Sequence, residues 1–103
     1  MASIKLKAKS KSGVTSVKAL INHPMETGLR KDKKTGGKIP AHFIQEVTCD
    51  LNGERVMTAY WGGSVSKNPY VAFNIDGGAK GDTIALAWVD NKGEKDSVES
   101  KVG

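Results

Sequence analysis

Apolar residues recur at every second position along much of this chain, in short runs separated by turn-forming residues. Ile4, Leu6 and Ala8, for example, alternate with lysines. Successive side chains of a strand point to opposite faces, so this period is typical of half-buried strands and not of helices. The pair Asn52-Gly53 tolerates the positive φ angles of a tight hairpin turn. The alternation therefore predicts an all-β fold.

The alternating runs divide the chain into seven predicted strands. They are predicted from Ile4 onward, at 14–21, from 39 to the turn at 52, at 55–60, at 70–75, around 84–88 and at 94–102. Seven short strands in about 100 residues are typical of an immunoglobulin-like β-sandwich. A chain of 103 residues is expected to form one domain, 1–103, that buries its core without disulfide bonds.

Two positions complicate the strand pattern. Gln45 falls on the predicted inner face of the third strand, together with Val47 and Cys49. In the segment before the fifth strand, the ring of Pro69 is expected to hold Asn68 in an extended conformation.

The net charge of +5 reflects two groups of basic residues. Lys5, Lys7, Lys9 and Lys11 lie on one face of the first strand, which predicts a solvated edge strand in preference to a binding stripe. The second group lies within 30–38 and could attract an acidic partner or an anion, or simply be a solvated loop tip. Base stacking needs aromatic platforms, and none is interleaved with that group. Nucleic acid is therefore not expected as a partner.

Cys49 is the single cysteine, so an internal disulfide is excluded. We interpret it as a small core residue, with a thiol at a partner interface as the alternative. The first ten residues contain no apolar run of signal-peptide length, and no segment is long enough to span a bilayer. The sequence without its relatives thus suggests a cytoplasmic chain, or one exported by a route that it does not encode.

A long polar loop, 23–38, separates the second and third predicted strands. Loops of this length in compact domains often carry function. Glu26 and Arg30 within it could form an ion pair that shapes the loop, or could contact a partner. Aromatic residues beside a second predicted loop, 61–67, are of the kind that anchors interfaces. The candidates for a partner interface are His23, Met25, Glu26, Arg30, Tyr60, Trp61, Val65, Asn68, Pro69 and Tyr70.

An ordered set of residues between about residue 17 and residue 93 carries a family resemblance. The set comprises His23, Met25-Glu26, Gly28, Arg30, Asp32, Ile39-Pro40, Phe43-Ile44, Cys49, Asn52-Gly53, Val65-Ser66, Asn68-Pro69-Tyr70, Phe73 and Trp88-Val89-Asp90. In this order, the set resembles the SoxZ family, the smaller subunit of the sulfur carrier complex in bacterial thiosulfate oxidation.

The resemblance implies a non-catalytic subunit without a cofactor that forms a heterodimer with SoxY. The C-terminal Gly-Gly-Cys arm of SoxY carries the covalent sulfur intermediates, and the present chain has no cysteine near its end. The SoxAX cytochrome, SoxB and SoxCD are implied as the enzymes that visit the arm. The resemblance also implies a periplasmic location, reached by export together with SoxY, with no role for nucleic acid or a membrane.

Two other functions remain open at this point. The first is a small periplasmic metal-handling protein that uses His23, Met25 and His42, because imidazole and thioether groups bind copper. The second is an enzyme with Cys49 as its nucleophile. Serine catalysis is not predicted, since the serines of the 61–67 loop lack a nucleophile-elbow pattern.

Overall fold

Seven strands form two antiparallel sheets in the computed structural model of the chain, which describes residues 3–62, 65 and 67–103. The strands are β1 (Ile4–Lys11), β2 (Val14–Ile21), β3 (Ile44–Leu51), β4 (Glu54–Tyr60), β5 (Tyr70–Asp76), β6 (Thr83–Asp90) and β7 (Lys95–Lys101). One sheet has the order β1-β2-β5 and the other β4-β3-β6-β7. This order confirms the predicted sandwich, with the fourth strand beside β3. Within the described residues, no helix has the length and apolar character needed to cross a membrane.

The core lies between the two sheets and is built from alternate side chains of each strand. Val17, Ala19 and Ile21 of β2 are at most 1% exposed, and Ile84 and Leu86 of β6 are fully buried. Removing a large aliphatic side chain from water contributes roughly 1.5–3 kcal/mol to folding. The predicted inner faces of the second and sixth strands are therefore confirmed.

The third strand begins at Ile44, and the predicted start at Ile39 is wrong. The backbone N–H of Ile39 donates to the carbonyl of Arg30 at 2.8 Å, so this residue pairs within the preceding loop. Pro40 has no N–H to contribute to a ladder. The local apolar residues resemble a strand, but their backbone partners lie elsewhere.

A β-bulge explains why Gln45 breaks the alternation. Where β3 pairs with β6, the register shifts between Ile44 and Glu46, which leaves Gln45 as an extra residue. Both Ile44 and Val47 consequently point inward and are fully buried, whereas Gln45 is exposed. The prediction that Gln45 shares the inner face of Val47 is wrong for this reason.

The remaining predicted strand ends agree with the structure to within two residues. The hairpin turn is also confirmed, because Asn52 and Gly53 have φ angles of 52° and 83°. Of the predicted loop 61–67, Gly63, Ser64 and Ser66 lie outside the described residues.

The two long flanks of the sandwich differ in how they are covered. At the flank of β1 and β7, the N–H of Gly103 donates to Ala8, and the carbonyl of Gly103 accepts from Ser10. Ser3 donates its N–H and its hydroxyl to Asp96 on the same flank. At the opposite flank, β4 and β5 are the last strands of their sheets, and no backbone hydrogen bond joins them within the described part of the chain. We call this second side the open flank.

The turn that follows β5 is expected to tolerate no side chain at Gly78. Its φ is +83°, and a Cβ there would overlap the hydroxyl oxygen of Thr15, which is fully buried and donates to Gly77. Gly78→Ala should lower the free energy of unfolding by about 2–4 kcal/mol, combining backbone strain and overpacking. Urea unfolding measures this difference.

Gly13→Ala is the matched control, since Gly13 has φ +79° and nothing lies within 4 Å of its added Cβ. In this variant, backbone strain alone should lower the free energy of unfolding, by about 1 kcal/mol. Equal losses in the two variants would contradict the packing argument.

Candidate functional site

The predicted interface residues converge at one end of the sandwich, where β2, β4 and β6 end and β3 and β5 begin. We call this the loop end. His23 and Met25 follow β2, Tyr60 and Trp61 lie at the end of β4, and residues 68–70 lead into β5. Residues that are far apart in the sequence therefore share one region, but they lie at different depths.

Much of the long loop is a hairpin-like extension, residues 26–42, which we call the arm. Antiparallel bridges pair Glu26 with His42 and Lys31 with Lys38. The two backbone hydrogen bonds between Glu26 and His42 measure 2.6 and 2.9 Å. The arm is thus paired at its base and again nearer its tip, and its lysines lie in the outer part, at positions 31–38.

Beneath the arm, two histidines bind one buried carboxylate. The Nε2 of His23 and the Nε2 of His42 lie 3.0 and 2.7 Å from Oδ2 of Asp90, whose side chain is fully buried. The other oxygen of Asp90 accepts the backbone N–H groups of Lys92 and Glu94 at 3.0 and 2.9 Å. This His–Asp–His cluster joins the loop after β2, the base of the arm and the β6–β7 turn.

The hydrogen bonds determine where the proton of His23 resides. The backbone N–H of Met25 donates to Nδ1 of His23 at 3.1 Å, so Nδ1 acts as an acceptor. The ring proton therefore lies on Nε2 and is donated to Asp90. Trp88 packs edge-on against the same ring with centroids 5.0 Å apart. His23 is thus a neutral, oriented donor that is only 2% exposed.

The pKa of Asp90 is lowered despite its burial. Burial by itself would raise this pKa, but hydrogen bonds from His23 and His42 and from the N–H groups of Glu94 and Lys92 favour the charged form and outweigh it. Asp90 is therefore a carboxylate that the surrounding donors keep ionised.

The cluster has the residue types of a metal site, but its hydrogen bonds favour a structural role. One ligand atom from each of His23, His42 and Asp90 lies within 4.8 Å of the others. A metal on Nε2 of His23 would need the proton on Nδ1, where the N–H of Met25 already donates. The sulfur of Met25 is itself buried and accepts the N–H of Ile44 at 3.4 Å. The donors and acceptors of His23, Met25 and Asp90 thus already have partners within the protein.

Glu26 and Arg30 form the ion pair that was one of the two sequence interpretations. Nε and Nη2 of Arg30 donate to the Glu26 carboxylate at 2.7–3.2 Å. The hydrogen bond and the charge of Arg30 lower the pKa of Glu26, and the same contact raises the pKa of Arg30. The Arg30 side chain remains 68% exposed, so the pair shapes the base of the arm and still presents a cation to solvent.

Asn68 is not extended, and that prediction is wrong. Its φ is +52°, a conformation that asparagine tolerates better than most residues. Asn68 instead clamps His23, because its N–H donates to the His23 carbonyl at 3.0 Å and its side-chain oxygen accepts the His23 N–H at 3.1 Å. The buried Pro69 accepts the N–H of Ile21. These tertiary contacts override the local preference imposed by proline.

The surface of the loop end is dominated by two tyrosines. Tyr60 is 78% exposed and Tyr70 is 63% exposed, whereas Trp61 and Val65 are partly buried against the core. His23, Met25 and Pro69 are buried, so they support this surface and contribute no side-chain area to it. The accessible candidates are therefore the tyrosines, Asn68 and the charged arm.

Cys49 is fully buried in the core of β3. Burial, and to a smaller extent the nearby charge of Asp50, raise the pKa of its thiol to about 11. The thiolate is the reactive form of cysteine, so this environment suppresses nucleophilic chemistry.

Asp90 is the central residue that sequence reasoning did not assign to the site. A signal was available, since an Asp before Asn-Lys-Gly is typical of a turn in which the carboxylate accepts backbone N–H groups. Its two histidine partners could not be inferred, because they lie 67 and 48 positions away in the sequence.

Asp90→Asn is expected to lower the free energy of unfolding by about 2–3 kcal/mol at pH 7, since hydrogen bonds to a buried charge are lost. His23 cannot invert its tautomer to suit the amide, because Met25 occupies Nδ1. The folded pKa of Asp90 is below its unfolded value, so its contribution is present above about pH 4 and disappears as the pH falls through the folded pKa. The difference in the free energy of unfolding between Asp90→Asn and wild type should therefore become smaller in acid.

Chemical denaturation between about pH 7 and pH 3 measures this gap. Asp76→Asn, at an exposed carboxylate of β5, is the control and should stay within about 0.5 kcal/mol of wild type. A loss for Asp90→Asn that is independent of pH would contradict the assigned ionisation.

The thiol of Cys49 is expected to resist alkylation in the folded chain. With a pKa near 11, its thiolate fraction at pH 8 is roughly a hundredfold lower than that of an ordinary cysteine. Mass spectrometry after iodoacetamide treatment should show modification at least that much slower in the native chain than in the urea-unfolded chain. Native alkylation at the rate of free glutathione would refute the buried assignment.

Comparison with known proteins places the chain in a family. Residues 4–101 match the family described as "Sulphur oxidation protein SoxZ". No curated protein matches the chain. The match covers nearly all of both sheets, the arm and the His–Asp–His cluster. The chain therefore belongs to the SoxZ family of sulphur oxidation proteins.

Proposed function

We propose that the chain is a non-catalytic subunit of a sulfur carrier heterodimer, in which it pairs with SoxY. It would stabilise the subunit that bears the covalent sulfur intermediates and would offer a surface to the enzymes that act on them. Family membership supports the link to sulfur oxidation. The observation that carries the pairing is the open flank of the sandwich.

The open flank combines exposed apolar side chains with unpaired strand edges. Val56 and Met57 of β4 face Phe73 and Ile75 of β5 across a groove of about 370 Å³. Val56 is 39% exposed, and the end strands on both sides leave backbone groups without a neighbouring strand. A partner laid along this groove would remove apolar surface from water and satisfy those groups.

The surface of the chain is large enough for an interface of standard size. A standard interface takes about 800 Å² from each partner, a modest part of the 6637 Å² surface of the chain. Tyr60 lies at the end of β4, one of the two strands that border the open flank, so an aromatic anchor continues the groove toward the loop end. Arg30 adds an exposed cation there.

The absence of catalysis is supported by how the reactive groups are used. His23 and Asp90 direct their polar atoms at each other and at the backbone. The thiol of Cys49 is buried and has a raised pKa. These groups stabilise a folded surface and are not presented to a substrate.

The wider assignments follow from the same proposal. The SoxAX cytochrome, SoxB and SoxCD are proposed as transient partners that act on the SoxY arm. The proposed location is the periplasm, reached by export together with SoxY. Cell fractionation with and without the SoxY signal peptide tests the location, and retention of the chain in the periplasm without that peptide would contradict joint export.

Val56→Glu is expected to abolish stable pairing with SoxY, because it replaces an exposed apolar side chain of the open flank with a charge beside Met57 and Phe73. Co-expression with tagged SoxY, followed by size-exclusion chromatography, measures the pairing. Val89→Glu is the matched control, since Val89 is 41% exposed on the outer face of β6, away from the flank. It should leave the heterodimer intact.

Pairing that survives Val56→Glu and fails in Val89→Glu would place the interface on the outer face of the second sheet. Failure of the wild-type chain to associate with SoxY would refute the proposed function itself. Thermal unfolding of both variants alone verifies that each is folded before pairing is scored.

A further inference from the structure

The outer face of the three-stranded sheet is predominantly positive. Lys5, Lys7, Lys9 and Lys11 project from β1, and Lys18 projects from the adjacent position on β2; all are exposed. We call this set the lysine face. Among the described residues, no lysine of this set lies within 4 Å of a carboxylate.

The outer face of the other sheet carries acidic and basic side chains in equal numbers. Its strands present Glu46, Asp50 and Glu99 together with Arg55, Lys95 and Lys101. On the lysine face, Asp76 at the far end of β5 is the one carboxylate of the strands. The positive charge is thus segregated onto one side of the sandwich.

Protection of a sheet edge does not account for the whole lysine face. β1 is an end strand, so its lysines could serve that purpose. Lys18, however, lies on the central strand of the sheet, directly opposite Lys7 in the register. Like charges in directly opposed positions destabilise a sheet. A pair that is unfavourable for folding indicates that the charge has another use.

Apolar side chains lie at one end of the same face. Lys5 pairs with Leu20, and Leu20 pairs with Tyr70 on β5. Leu20 is 42% exposed and Tyr70 is 63% exposed. A cationic field beside an exposed aromatic anchor is the combination found in electrostatically steered protein interfaces.

We propose that the lysine face is the docking surface for an acidic protein, namely an enzyme that acts on the carrier. The inference rests on the proposed function, because such enzymes must reach a preassembled heterodimer and leave again. The lysine face lies on the outer surface of a sheet and the proposed SoxY interface on the open flank, so the lysines stay accessible in the pair. Steered association of this kind speeds encounter more than it slows dissociation.

A nucleic acid fits this face less well than an acidic protein does. Single strands bind where aromatic side chains alternate with cations, whereas Tyr70 stands at one end only. Anionic lipid would be attracted by the same lysines. Both are therefore included as outcomes of the test.

The test uses the heterodimer of the chain with SoxY, whose formation is verified first by size-exclusion chromatography. The triple variant Lys7→Glu, Lys9→Glu, Lys18→Glu is compared with a control triple, Lys80→Glu, Lys92→Glu, Lys95→Glu, at exposed lysines elsewhere. The two triple variants change the net charge of the chain by the same amount. Binding to immobilised SoxAX, SoxB and SoxCD is followed by surface plasmon resonance.

The lysine-face triple should lower the association rate constant for at least one enzyme by about tenfold at low salt, with a smaller effect near 0.3 M salt. The control triple should stay within about twofold. Equal effects of the two triples, or no effect of either, would overturn the proposal. Binding of an oligonucleotide or of phosphatidylglycerol vesicles that depends on the lysine face, without an effect on any enzyme, would also overturn it.

Lys18→Gln gives a second readout that does not depend on the triple variant folding. It removes the charge opposed to Lys7, so the melting temperature should be unchanged or higher while association becomes slower. Loss of stability, or unchanged association, would count against the proposal. If the wild-type heterodimer forms but the lysine-face variants bind the enzymes normally, the proposed carrier function is retained and the docking proposal is refuted. If the heterodimer does not form, both proposals are refuted.

Discussion

A single ionised carboxylate in the interior, Asp90, organises the loop end of this sandwich. Burying a charge is unfavourable unless donors surround it, and here two imidazoles and two backbone N–H groups do so. His23 and His42 lie near opposite ends of the segment that joins β2 to β3, so the carboxylate holds this segment closed at its base. The arm projects from that closure, and the surface with the exposed tyrosines is built around it.

The same residues that resemble a metal site thereby act as a support. The distinction depends on one backbone group, the N–H of Met25, which occupies Nδ1 of His23 and places the ring proton between His23 and Asp90. The function proposed above requires loops that are held in place and does not require open coordination positions. The cluster, the open flank and the segregated lysines lie in separate parts of the sandwich.

Sequence reasoning located the strands because a period of two is a local property of the chain. It failed where a tertiary partner changed the local rule. The bulge at Gln45 turns both Ile44 and Val47 inward, and hydrogen bonds to His23 hold Asn68 at positive φ in spite of the following proline. Of the site, the histidines and the loop residues were found, but Asp90 was not, because its partners are distant in sequence.

The sequence by itself determined the all-β class, the number of strands, the hairpin turn and the residues that resemble the SoxZ family. These features depend on side-chain alternation and on the φ preferences of single residues, which neighbouring positions decide. Only the tertiary structure decided which sheet each strand joins, which flank stays open, and that Lys18 faces Lys7. Such relations arise from pairing between strands far apart in the chain, and no local pattern encodes them.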